Sequence, residues 1–116
     1  MKYVLLIYDD ESIYGRMSDD ERNAFMGEYF TYTQEIQSDG KWLAGHALHP
    51  TSASTSVRVR EGDVLVTDGP FAETKEQLGG FYAVEAESLD EAIELARRIP
   101  SARIGTIEVR PIMEFD

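Results

Sequence analysis

The chain has no cysteine among its 116 residues. Disulfides, thiolate metal ligands and cysteine nucleophiles are therefore excluded, and the absence suits a reducing, cytoplasmic setting. Long apolar runs are missing too. The longest is Tyr3 to Tyr8, far short of the ~18 residues that a membrane-spanning helix needs. No small-residue cleavage site follows it, so no signal peptide is expected. Positive charge is scarce: 11 Lys and Arg stand against 22 Asp and Glu, a net charge of −11. The basic pairs Arg58/Arg60 and Arg97/Arg98 are not joined by further basic residues. A phosphate backbone would be repelled by such a surface, so no nucleic-acid partner is expected. No G-x-G-x-x-G or Walker spacing opens a helix, and Ser52, Ser54 and Ser56 lack a nucleophile-elbow setting.

What is present reads as one domain with a 42% hydrophobic composition, enough for its own core. Tyr3-Val4-Leu5-Leu6-Ile7-Tyr8 shows no polar alternation and predicts a strand covered on both faces. Asp9 to Met17 reads as a loop. Ser18 with Glu21 forms a capping box that opens a helix over 19–38, with a stripe of Phe25, Tyr29, Tyr32 and Ile36 and a stop at Asp39-Gly40. Lys41 to Leu48 predicts a second strand, with Trp42, Ala44, His46 and Leu48 sharing one face. Ser56 to Arg60 alternates and pairs through Glu61-Gly62-Asp63 with Val64 to Thr67. Phe81 to Glu85 is a further strand. A second capping box, Ser88 with Glu91, opens a helix with a stripe of Leu89, Ala92, Ile93, Ala96 and Ile99 that Pro100 stops. Ile104 to Arg110 closes the chain as a strand, with Gly105 marking a bulge.

This order is βαβ-βαβ with an inserted β-hairpin, the ferredoxin-like α+β plan with two helices on one sheet face. The first strand is apolar on both faces, and no element remains for the second face. A two-fold homodimer is the economical cover.

The densest polar, turn-forming stretch is Thr67-Asp68-Gly69-Pro70-Phe71-Ala72-Glu73-Thr74-Lys75-Glu76, leading to Gly79-Gly80. Gly69 and Pro70 restrict the backbone and present Asp68 at a strand end. Asp68 is either a carboxylate at a cleft or the anchor of its own turn. His46 is either a base that pairs with Asp68 or a histidine with a satisfied hydrogen bond. Lys75 with Glu73 and Glu76 is either a solvated charge set or part of a lid hinged at Gly79 and Gly80. His46 and His49 point to opposite faces of a strand, so no metal site is expected.

The Asp68-Gly69-Pro70-Phe71 run closely resembles the DGPF motif of the YCII-related family, and the resemblance covers nearly the whole chain. It implies a dimeric α+β barrel without a cofactor. Related barrel proteins include isomerases, monooxygenases and a muconate dehydrochlorinase, and members of the broader family are described by a His–Asp pair. The resemblance thus implies a small-molecule enzyme or ligand-binding protein, with Asp68 and His46 as catalytic candidates. The ligand-binding candidates are Tyr8, Gly69, Pro70, Phe71 and Lys75. The alternative is a non-catalytic interaction module, of the kind associated with extracytoplasmic-function sigma factors.

Overall fold

The computed structural model describes residues 1–115. Strand β1, Lys2–Asp9, is followed by a short helix α1, Ser12–Arg16, and a long helix α2, Asp19–Ser38. Strand β2, Trp42–Ala47, leads through a 3-10 turn at Thr51–Ala53 into β3, Thr55–Arg60, and β4, Asp63–Asp68. Then come β5, Gln77–Glu85, helix α3, Leu89–Arg97, a 3-10 turn at Pro100–Arg103, and β6, Thr106–Pro111. The main sheet has the order β2-β5-β1-β6, every neighbouring pair antiparallel. With the β3–β4 hairpin set aside, this is the ferredoxin-like α+β arrangement.

Side-chain alternation along β1 sets the two faces of the sheet. Tyr3, Leu5, Ile7 and Asp9 are buried on the helix side, whereas Val4, Leu6 and Tyr8 are half-buried on the other. The core joins Tyr3, Leu5 and Ile7 to Tyr32 and Ile36 of α2, Tyr82 and Val84 of β5, and Ala92, Leu95 and Ala96 of α3. Removing such side chains from water supplies about 1.5–3 kcal/mol each for the larger ones.

Helix α2 starts and stops where its sequence signals stand. Ser18 Oγ accepts from the Glu21 amide at 3.1 Å, the Glu21 carboxylate accepts from the Ser18 amide at 2.9 Å, and Gly40 beyond the end has φ +71°. The second box is only half formed. Ser88 Oγ accepts from the Glu91 amide, but the Glu91 carboxylate turns to Lys41 at 2.7 Å. In α3 the buried residues are Ala92, Leu95 and Ala96, while Leu89 and Ile93 are exposed.

Four local readings change. Ser12–Arg16 is helical rather than loop, because the Asp10 carboxylate accepts from both the Ser12 amide (2.9 Å) and hydroxyl (2.7 Å) and nucleates the turn. A bulge between Trp42 and Ala44 sets Trp42 opposite Val84, on the helix side, while Ala44 and His46 oppose Ala83 and Phe81 on the other; Trp42 and His46 therefore do not share a face. Strand β5 begins at Gln77, so Gly79 and Gly80 are strand residues and not a hinge. The ladder slips by one residue there, with Ile7 opposite Gly80 and Tyr8 opposite Leu78. Gly105 precedes β6 rather than bulging it: an added Cβ would lie 2.1 Å from the Tyr8 carbonyl oxygen, so only glycine permits this approach.

The β3–β4 hairpin pairs with no strand of the main sheet. Its two-residue turn, Glu61-Gly62, has positive φ at both positions, the geometry that suits the strand twist. All of β4 is exposed, and so is β3 apart from Ser56. The chain's radius of gyration is 16.2 Å, against about 13 Å for a compact domain of this length.

Candidate functional site

Between the helix side of the sheet and the middle of α2 lies a cavity of about 480 Å³. Its floor is made of small residues, Gly45 and Ala47 of β2 and Gly80 of β5, beside Ile7 and Tyr82. The chain packing requires two of these to be small. A Cβ on Gly80 would lie 2.8 Å from the His46 carbonyl oxygen, and one on Gly45 2.9 Å from the Tyr82 ring. Met26, Tyr29 and Thr33 of α2 form the opposite wall, and Trp42, Leu48, His49 and Pro50 surround the open side.

At the inner end sits Asp9, 3% exposed. As the last residue of β1 it continues the inward-facing set of Tyr3, Leu5 and Ile7. The Tyr14 hydroxyl, carried by α1, donates to Asp9 Oδ2 at 2.5 Å. Tyr29 donates to Ser101 Oγ at 2.5 Å, and Ser101 Oγ lies 3.5 Å from the Tyr14 hydroxyl. Four residues from four elements thus meet at one end of the cavity. No side chain among the described residues bonds Asp9 Oδ1, and no fully buried side-chain polar atom there is left without a partner. Oδ1 therefore has the capacity to accept from a bound molecule.

The site electrostatics favour neutral phenols. Burial, then the bond to Asp9, raises the Tyr14 pKa well above the ordinary phenol value. Burial raises Tyr29 to about 12, against the lowering effect of its bond to Ser101. Both hydroxyls thus remain hydrogen-bond donors at neutral pH. The lining also contains two carboxylates, Asp9 and Glu11, and no lysine or arginine. Glu11 is engaged by Thr51, accepting from its amide at 2.7 Å and its hydroxyl at 2.8 Å, which ties the 3-10 turn to the cavity wall.

The residues singled out in the sequence are distributed differently. His46 borders the cavity at the sheet margin, exposed, with its ring 5.7 Å from Phe81 and on the Phe81 face of the sheet. Asp68, Gly69, Pro70, Phe71, Lys75 and Tyr8 do not line it. Asp68 is exposed at the end of the hairpin. The turn after it is held by backbone and serine, with the Gly69 amide donating to the Ser54 carbonyl at 2.7 Å and Ser56 Oγ to the Gly69 carbonyl at 2.8 Å. Among the described residues no cluster of three or more His, Asp or Glu has metal-binding geometry.

A sheet of order β2-β5-β1-β6 with helices on one face and a helix-side cavity defines a ferredoxin-like α+β domain. The sequence matches the YCII-related domain across residues 1–116, and the chain belongs to that family. It is 40% identical over 114 residues to an uncharacterised protein of Rhizobium meliloti (strain 1021), covering 97% of this chain and 92% of that one. Among solved structures it resembles 5-chloro-2-hydroxyhydroquinone dehydrochlorinase (TftG) from Burkholderia phenoliruptrix AC1100, in complex with 2,5-dihydroxybenzoquinone. The TM-score is 0.52 at 14% identity, over 99% of this chain and 96% of that chain. At that identity the likeness is one of fold.

Proposed function

We propose that this YCII-related protein binds a small, largely apolar, neutral or cationic molecule in the helix-side cavity and performs acid–base chemistry on it through Asp9. The observation that carries the reading is a buried carboxylate at the end of an apolar cavity, one oxygen held by Tyr14 and the other unbonded. A charge in that position is costly unless it is met by donors. A ligand O–H, N–H or acidic C–H directed at Oδ1 supplies one. Transfer of that proton to Asp9 gives a carboxylic acid and a ligand anion; the Tyr29 hydroxyl, whose proton is given to Ser101 Oγ, must turn from that bond to donate to such an anion. Anionic ligands are disfavoured, because the lining holds two carboxylates and no lysine or arginine. His46, at the cavity margin, fits a role in ligand entry or contact.

The same reading makes the protein a cytoplasmic homodimer without a cofactor. The uncovered face of β1 and β5, with Val4, Leu6, Tyr8, Phe81 and Ala83, supports the pairing. Among the described residues no helix is long and apolar enough to cross a membrane.

The test is a thermal-shift panel of neutral phenols, hydroquinones and aryl amines against benzoates and muconates, on wild type and Asp9→Asn. Donor ligands at about ten times Kd should add roughly 1.4 kcal/mol, a rise of several degrees. Asp9→Asn should lose most of that response. Equal stabilisation by the carboxylates, or a response that survives Asp9→Asn, would overturn the reading.

A further inference from the structure

The inner end of the cavity holds a negative charge with no positive one beside it. Asp9 is 3% exposed, and Tyr14 gives its Oδ2 a neutral donor. No donor among the described residues reaches Oδ1. Every fully buried side-chain polar atom among them has a partner, so the unbonded Oδ1 keeps surface that opens on the cavity. The space beside it is empty. Beyond its chain neighbours, a Cβ added at Gly79 would have only Oδ1 within 4 Å, at 3.6 Å. Glu11 adds a second negative charge to the lining, because the amide and hydroxyl that Thr51 gives it are neutral. His46 and His49 stand exposed at the margin, away from Asp9.

We infer that the ligand of this cavity is an organic ammonium ion, a protonated primary or secondary amine on an apolar body. Its N–H donates to Asp9 Oδ1 in the gap beside Gly79, and its body lies along the aromatic lining. The inference rests on the ligand-binding reading given above and names the charge of the molecule. A neutral hydroxyl makes the hydrogen bond but leaves the buried charge uncompensated. An ammonium N–H does both, and a charge-assisted hydrogen bond is roughly twice as strong as a neutral one.

The rest of the cavity suits such a molecule. Tyr29, Trp42 and Tyr82 line the same space, and aromatic rings attract cations as well as apolar groups. Ile7 and Met26 add apolar surface for a hydrocarbon body. The net charge of −11 draws cations toward the chain and disfavours carboxylates. An inorganic cation fits less well, because among the described residues no three His, Asp or Glu side chains have metal-binding geometry.

The test is isothermal titration calorimetry at neutral pH on the full chain, with benzylammonium, benzyl alcohol and benzyltrimethylammonium as probes. Wild type, Asp9→Asn and Gly79→Ala are compared, with far-UV circular dichroism as the folding control and amide chemical shifts to locate the probe. Benzylammonium should bind about tenfold tighter than benzyl alcohol and shift the amides of Asp9, Tyr14 and Gly79. That preference should vanish in Asp9→Asn. Gly79→Ala keeps the carboxylate and fills the gap, so it should weaken benzylammonium several-fold. Benzyltrimethylammonium, a cation without an N–H, should bind more weakly than benzylammonium. Benzyl alcohol that binds as tightly as benzylammonium, with both lost in Asp9→Asn, overturns the cation and leaves the donor reading standing. A preference for the amine that persists in Asp9→Asn, an affinity unchanged in Gly79→Ala, or equal affinity for benzyltrimethylammonium overturns the inference as well. No binding by any probe at millimolar concentration, or shifts confined to residues outside the cavity, overturns both the inference and the reading beneath it.

Discussion

The hydroxyl of Tyr14 meets Oδ2 of Asp9 at 2.5 Å, and the two residues belong to successive elements, the end of β1 and the helix after it. That bond fixes the carboxylate orientation and leaves Oδ1 directed away from the Tyr14 contact. Hydrogen bonds to charged groups contribute about 1.5–3 kcal/mol. Tyr14→Phe should therefore cost about 2 kcal/mol by urea unfolding, whereas Asp9→Asn, which keeps a carbonyl acceptor, should cost less. A double-mutant cycle should give a coupling of at least about 0.5 kcal/mol. Strict additivity would mean that the pair is not formed.

Alkaline pH should expose the same geometry. Tyr14, Tyr29, Tyr32 and Tyr82 all have pKa values raised above the ordinary phenol value, with burial the first cause in each. A folded-state pKa above the unfolded one gives stability that is complete below the unfolded value of about 10 and is lost as pH rises through the folded value. For Tyr29 that window runs from about 10 to about 12. The melting temperature should hold below pH 9 and fall steeply above pH 10. Absorbance at 295 nm should show these four tyrosines ionising only together with unfolding. Four independent titrations near pH 10 in the folded protein would contradict the burial argument.

Much of the fold was legible because it rests on local signals. The Ser18/Glu21 box, the Gly40 stop, the Glu61-Gly62 turn and the two-sided β1 each act over a few residues. The candidate site was not, because it assembles residues 9, 14, 29 and 101 from four elements. One sign of it stood in the sequence. Asp9 has the parity of Tyr3, Leu5 and Ile7, so a strand extended by one residue buries a carboxylate. Reading Asp9 as the first loop residue concealed it. The bulge that turns Trp42 inward depends on pairing with β5, which strict alternation along β2 cannot reveal.

Two glycines separate packing from propensity. A Cβ at Gly105 would lie 2.1 Å from the Tyr8 carbonyl and 2.8 Å from Asp9 Cβ, both on β1. Gly105→Ala must push β6 or the Asp9 turn away, and should cost about 3 kcal/mol or more while weakening any ligand response at Asp9. Gly27 lies within α2 with nothing inside 4 Å of its added Cβ. Gly27→Ala should stabilise by about 0.5–1 kcal/mol. Chemical denaturation of the two variants checks both signs. A neutral Gly105→Ala would mean that β6 does not hold the approach described.

The last expectation concerns Asp68, the acidic residue of the Asp68-Gly69-Pro70-Phe71 run. Its turn is fastened by the Gly69 amide, the Gly69 carbonyl and Ser56, and no side-chain bond of Asp68 itself is found among the described residues. If the carboxylate anchored the turn, Asp68→Ala would cost about 1–2 kcal/mol. With the fastening in the backbone, the cost should stay within about 0.5 kcal/mol at concentrations where the assembly is unchanged. Gly69→Ala should cost more, because φ +93° is strained for any residue with a Cβ. The ligand response discriminates further. A carboxylate outside the cavity should leave the Asp9-dependent thermal shift intact in Asp68→Asn and Asp68→Ala alike. Loss of that shift in both variants, at unchanged melting temperature and unchanged sedimentation, would bring Asp68 into the site and make the motif a catalytic element rather than a backbone-held turn.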